Sequence, residues 1–178
     1  MTSLSDKARS VRLMAFDIDG VMTDGRLYFS PSGDAMKTFF TRDGLGLKML
    51  ARSGVKLAII TGRDSPIVTQ RAENLGITLV LQGIEDKRAA LARLLDEQGL
   101  EFSQAGYMGD DVVDLGVMTA CGFSATVPDG HDAVRAIADY VARAPAGGGA
   151  VREVCEFLLR AQGCWDSILA AYSAAGRA

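Results

Sequence analysis

Met14-Ala15-Phe16-Asp17-Ile18-Asp19-Gly20-Val21-Met22-Thr23-Asp24-Gly25 is the stretch whose reading decides the fold. It grows out of an apolar run, Val11 to Phe16 broken only by Arg12, which reads as a buried strand. The run then delivers Asp17 and Asp19 and stops at Gly20. Carboxylates at the carboxyl end of a buried parallel strand lie at the crevice where open α/β sheets bind ligands. Side chains two apart on an extended segment point the same way, so these two acids repel each other. A hard cation such as Mg²⁺ is the usual reason to keep such a pair.

Outward from that stretch, strands and helices alternate. Val55–Ile60, Thr78–Leu81, Ala105–Met108 and Gly122–Thr126 read as further strands. Helices are expected from Asp43-Gly44 to Ser53-Gly54, from Ser65-Pro66 to Leu75-Gly76, over 85–98, over 112–119, over 132–139 and over 151–163. Residues 1–10 read as a frayed tail or a short leading helix. The pattern predicts an α/β fold, doubly wound on a mainly parallel sheet. Between the first strand and the first long helix, Arg26–Phe29 and Met36–Phe40 flank Ser30-Pro31-Ser32-Gly33-Asp34, a hairpin over about 26–41. An isolated two-stranded ribbon is marginal in water, and this one is rich in aromatics. Either it folds back on the domain or it packs against copies of itself; the second is the preferred reading and makes the protein a closed homo-oligomer.

With 178 residues the chain suits a single domain with one core, and its hydrophobic content of 48% and charged content of 23% are those of a soluble globular protein. The net charge of −3 gives no reason to expect a nucleic-acid partner. No apolar run approaches a membrane span, and Met1–Ser10 lacks the apolar stretch of a signal peptide, so cytoplasm is the expected location. Cys121, Cys155 and Cys164 have no metal-ligand spacing. The one histidine, His131, follows the turn-like Pro128-Asp129-Gly130 and reads as a helix-start surface residue, so the chemistry must run on carboxylates.

Each motif ends a predicted strand, so all should meet along one sheet edge. Read as a phosphoryl-transfer site, Asp17 is the nucleophile, forming an aspartyl-phosphate. Asp19 protonates the leaving alcohol and then activates water. Thr61, in Thr61-Gly62-Arg63, donates to a phosphoryl oxygen. Lys87, near a helix start where a cation is mildly unfavourable, neutralises nucleophile and phosphate. Mg²⁺ is expected on the Asp17 carboxylate, the Asp19 carbonyl and Asp110, with Asp111 and Asp114 as outer or partial ligands.

The ordered set Asp-x-Asp-Gly-Val, Thr-Gly-Arg, Lys and Gly-Asp-Asp-x-x-Asp resembles the haloacid dehalogenase superfamily of phosphohydrolases. Asp19–Gly25, Arg42-Asp43-Gly44-Leu45-Gly46, Ile60–Arg63, Gln82–Lys87 and Gly148–Val154 resemble its 3-deoxy-D-manno-octulosonate (KDO) 8-phosphate phosphatase family. The resemblance implies a three-layer Rossmann-like fold without a cap domain. It also implies Mg²⁺ dependence, a homotetramer joined through its hairpins, a pocket closed by a neighbouring subunit, and a role in building the lipopolysaccharide inner core. It places Asp17 and Asp19 on the nucleophile and acid/base, Thr61 and Lys87 on the phosphate-binding positions, and Asp110 on the remaining metal ligand. Arg63 and Arg71 become candidates for the sugar carboxylate, which suits a planar guanidinium. Gly116 departs from the family, which often has proline there, and the tail of about 164–178 does not align beyond Trp165. Other readings are a phosphatase for a nine-carbon sugar acid phosphate (KDN or neuraminate type) and a non-catalytic scaffold of the same fold.

Overall fold

The computed structural model describes residues 3–31 and 33–175. A short helix, α1 (Leu4–Ser10), is capped by the Ser3 hydroxyl, which accepts from the Asp6 N–H at 3.1 Å. The first strand, β1 (Leu13–Phe16), is buried along its whole length. It lies at the centre of a six-stranded sheet whose other members are β4 (Lys56–Ile60), β5 (Leu79–Leu81), β6 (Ala105–Met108), β7 (Phe123–Thr126) and β8 (Tyr140–Val141). Their order is β5-β4-β1-β6-β7-β8, and every pairing is parallel.

Side-chain alternation along the strands builds the two faces. Met14, Phe16, Leu57, Ile59, Met108 and Phe123 join one core, covered by α1, α2 (Thr41–Arg52), α3 (Pro66–Leu75) and α7 (Ala150–Ala161). Leu13, Ala15, Ala58, Ile60, Ala105 and Tyr107 point the other way, onto α4 (Lys87–Gln98), α5 (Leu115–Ala120) and α6 (Asp132–Ile137). The expected three-layer arrangement is therefore present, with helices on both faces of a parallel sheet. Helices α2 and α7 approach closely at Gly46, where a Cβ would lie 2.8 Å from Arg152 Cδ. Buried Asp43 then accepts the Arg152 N–H at 2.8 Å, capping the start of α7 from another helix.

Several boundaries differ from the sequence reading. The hairpin pairs β2 (Tyr28–Ser30) with β3 (Gly33–Met36), so its second strand starts earlier than Met36. Gly33 adopts φ +112°, which closes the turn early, and Phe39 and Phe40 lead into α2 instead. Helix α2 starts at Thr41 rather than Asp43. The segment expected as one helix over 112–119 is a 3₁₀ turn, Val112–Asp114, followed by α5. Strand β8 is two residues long, too short for a periodic signal. The tail forms α8 (Trp165–Ala175), where Trp165 lies under the guanidinium groups of Arg152 and Arg160. Between Gly25 and Thr41 the described residues supply only the hairpin, and among the described residues no cap domain stands over the sheet edge. Among the described residues no helix is long and apolar enough to cross a membrane.

Candidate active site

Strands β1, β4 and β6 end side by side, and their following residues meet at the carboxyl edge. Asp17 continues β1 with its N–H on the Met108 carbonyl (3.0 Å), and its Oδ1 accepts the Ile18 N–H at 2.7 Å. Lys87, at the start of α4 and 4% exposed, places Nζ 2.9 Å from Asp17 Oδ2 and 2.7 Å from Asp114 Oδ1. Asp114 has no exposed surface. Its Oδ1 also accepts the Tyr107 hydroxyl (3.1 Å), while its Oδ2 accepts the N–H groups of Asp110 (3.0 Å) and Asp111 (3.3 Å). Burial alone would lower the Lys87 ammonium, but Asp17 and Asp114 outweigh it and hold the group above its ordinary value. Burial, with the Asp114 and Asp17 charges, keeps the Tyr107 phenol well above its usual range, so it serves as a neutral donor.

Asp110 follows β6 and faces the turn after Asp19. That turn is tight: Val21, Met22 and Thr23 all donate to the Ile18 carbonyl, at 3.2, 2.9 and 3.0 Å. Gly20 has φ +90°, and a Cβ there would lie 2.1 Å from Asp110 Oδ2, so only glycine lets the two loops meet. Oxygens of Asp17, Asp110 and Asp114 lie within 4.8 Å of one another. This crowding of buried acids raises two of them. Desolvation, with Asp17 and Asp114 beside it, pushes Asp110 to about 7; desolvation, only partly offset by Lys87, pushes Asp17 to about 6.

Asp17, Asp19, Thr61, Arg63 and Lys87 line one cleft of about 360 Å³, with Glu85 and Val113 on its walls. Thr61 follows β4, is 2% exposed, and donates its N–H to the Leu81 carbonyl at 3.0 Å. Arg63 brings Nε to 3.7 Å from Asp19 Oδ2 and lies over the Phe29 ring at 5.5 Å. Lys37 comes in from the hairpin, its Nζ 2.5 Å from Asp19 Oδ1. Arg71 is placed elsewhere. It stacks over Phe39 at 5.2 Å and lines a different cleft with Gly44, Leu45 and Lys48. Asp111 is exposed and caps the 3₁₀ turn, accepting the Val112 N–H at 2.7 Å. His131 likewise caps α6, its Nδ1 accepting the Ala133 N–H at 3.1 Å.

No family model matches the chain. Individual relatives do. The KDO 8-phosphate phosphatase of Haemophilus influenzae is 40% identical over 138 residues, 78% of this chain and 77% of that protein. The chain belongs to the KDO 8-phosphate phosphatase family. The Moraxella catarrhalis phosphatase of this family, crystallised with magnesium, phosphate and KDO, superposes with a TM-score of 0.93. It is 43% identical, and the match covers 95% of this chain and 97% of that one. The cobalt-bound Haemophilus influenzae enzyme gives a TM-score of 0.87 at 40% identity, over 89% of this chain and 93% of that one.

In this member of the KDO 8-phosphate phosphatase family, a divalent cation fits the donor set. Burial, with the neighbouring carboxylates, pushes Asp17 and Asp110 up against the pull of Lys87, and a second cation would relieve them. Asp114 fits less well as a ligand. Both its oxygens are taken by Lys87, Tyr107 and two N–H groups, so it orients the others. Sequence reasoning missed two parts of the site. Tyr107 is an inward residue of β6 whose polar tip needs a buried partner, a signal present in Ala105–Met108. Lys37 is a charge between Met36 and Thr38, and nothing in its neighbours shows that it turns inward.

Proposed function

We propose that this protein is a Mg²⁺-dependent phosphatase that hydrolyses KDO 8-phosphate to KDO and inorganic phosphate. The observation that carries the reading is the placement of Asp17 between Lys87 and Asp110 on the lining of the cleft, in a chain of this family. The Asp17 carboxylate attacks phosphorus as the bond to the sugar oxygen breaks, and Asp19 gives that oxygen its proton. Water then attacks the aspartyl-phosphate, Asp19 takes the water's proton, and phosphate leaves with the Asp17 carboxylate restored. Lys87 and Thr61 hold phosphoryl oxygens, and Arg63 meets the sugar carboxylate. Asp17, the Asp19 carbonyl and Asp110 would hold Mg²⁺, which when bound offsets the negative charge gathered around phosphorus.

The test is phosphate release from a panel of sugar phosphates with Mg²⁺ and with EDTA. KDO 8-phosphate should give the highest kcat/KM, and EDTA should stop turnover. A nine-carbon sugar acid phosphate turned over faster would reassign the substrate within the same chemistry. Release of nothing from any of them would leave the scaffold reading.

The protein works as a homotetramer in the cytoplasm, and nucleic acid and membrane are not among its partners. Support for assembly comes from the hairpin, where Phe29 is 64% and Met36 49% exposed. Arg71, whose Nε is buried without a hydrogen-bond partner among the described residues, then serves a neighbour's pocket rather than its own. Mixing inactive Asp17→Asn subunits with impaired Arg71→Ala subunits should restore part of the activity; no recovery would place Arg71 outside substrate binding.

A further inference from the structure

Lys37 leaves the hairpin between Met36 and Thr38, both exposed, yet its own side chain is only 2% exposed. A lysine on a projecting arm can easily run its ammonium out to water. Burying it is costly unless it meets an opposite charge in good geometry. Here Nζ lies 2.5 Å from Asp19 Oδ1, and the Thr23 hydroxyl approaches the same oxygen at 3.4 Å. The other oxygen, Asp19 Oδ2, is buried without a hydrogen-bond partner among the described residues, and its residue lines the catalytic cleft. The ammonium on Oδ1 fixes the carboxylate rotamer, the single Thr23 proton being shared with the Ile18 carbonyl at 3.3 Å. What this leaves without a hydrogen bond is the oxygen that can face a substrate.

We propose that Lys37 is a positioning residue: by holding Oδ1 it presents Asp19 Oδ2 for proton transfer, tying the hairpin to the chemistry. The inference rests on the reading of Asp19 as the group that gives and takes the proton. Proton transfer needs heavy atoms within hydrogen-bond reach, and a misplacement of about 1 Å can cost about a hundredfold in rate. Arg63 does not replace this hold, since its Nε lies 3.7 Å from Oδ2, on the opposite side of the carboxylate.

The test compares the parent with Lys37→Met and Lys37→Arg on two substrates. KDO 8-phosphate leaves as an alkoxide that needs the proton, whereas 4-nitrophenyl phosphate leaves as a phenolate that does not. On the sugar phosphate, Lys37→Met should lose roughly ten- to a hundredfold in kcat with KM within about twofold, and Lys37→Arg should recover part of it. In stopped flow with 4-nitrophenyl phosphate, Lys37→Met should release about one nitrophenolate per active site and then turn over slowly. Its first bond breaks without Asp19, but hydrolysis of the aspartyl-phosphate still needs Asp19 to take a proton. An unchanged kcat would overturn the inference. So would a rise in KM alone, which would make Lys37 a substrate contact. Equal losses on both substrates, with no burst and a lowered melting temperature, would reduce it to a tether for the hairpin. Each of these failures leaves the parent active on KDO 8-phosphate; an inactive parent, or an active Asp17→Asn, would instead sink the reading of the site and this inference with it.

Discussion

The floor and the rim of the cleft carry the same kind of chemistry, a carboxylate beside a lysine, and are built in opposite ways. On the floor, Asp17, Lys87, Asp114 and Tyr107 come from rigid strand and helix ends and are buried. Each of the two acids is held on both oxygens. On the rim, Asp19 is held on one oxygen by a lysine from an exposed two-stranded arm. The floor accepts crowding of charge to fix the proposed nucleophile. The rim leaves an oxygen without a hydrogen bond, as the proposed giver and taker of a proton requires.

The largest effect expected from breaking this contrast is chemical. Asp17→Asn removes the proposed nucleophile without removing volume, and phosphate release should fall by at least about a thousandfold. Replacing the floor's cation comes next. Lys87→Met leaves Asp17 and Asp114 buried with no ammonium between them, which should cost about 3–5 kcal/mol in a denaturant titration, well beyond the effect of Lys37→Met on the rim. If the two lysine variants lost the same stability, the distinction between floor and rim would be wrong.

A subtler outcome concerns the acids themselves. An unfolded aspartate loses its proton near pH 4, whereas the folded chain holds Asp17 to about 6 and Asp110 to about 7. The folded state therefore binds these protons more tightly than the unfolded state does. Stability of the metal-free protein should fall as pH rises from about 4 to 7, with the loss complete above the higher value. Asp110→Asn removes one of the competing charges. In EDTA its melting temperature should match the parent's near pH 4 and exceed it by a few degrees at pH 8. Added Mg²⁺ should close the gap by raising the parent alone. A mutant less stable than the parent at pH 8 in EDTA would contradict the crowding. The smallest effect lies outside the cleft. Gly116 is the second residue of α5 with open space where a Cβ would go, so Gly116→Ala should add up to about 1 kcal/mol with activity unchanged.

The local signals in this chain were strong where a residue's neighbours decide its state. Alternating faces in Met14–Phe16, glycine after a helix at Gly76 and proline opening α3 at Pro66 are short-range matters of sterics and burial, and they marked the elements to within a few residues. Asp17, Thr61, Lys87 and Asp110 could be named because each ends a strand or opens the helix after it, and a parallel sheet must bring such ends to one edge.

What the sequence by itself determined was the layered fold, the edge where the acids meet and the family. Only the tertiary structure decided how the acids divide the work. Asp110 and Asp114 look alike in Gly109–Asp114, yet one has its oxygens beside Gly20 and the other spends both on donors from α4, β6 and its own turn. It also decided that Arg71 lies in another cleft and that Lys37 reaches Asp19 from 18 residues away. The reason is that propensity acts over a few residues, while a buried charge takes its role from whichever opposite charges the folded chain brings within about 3 Å.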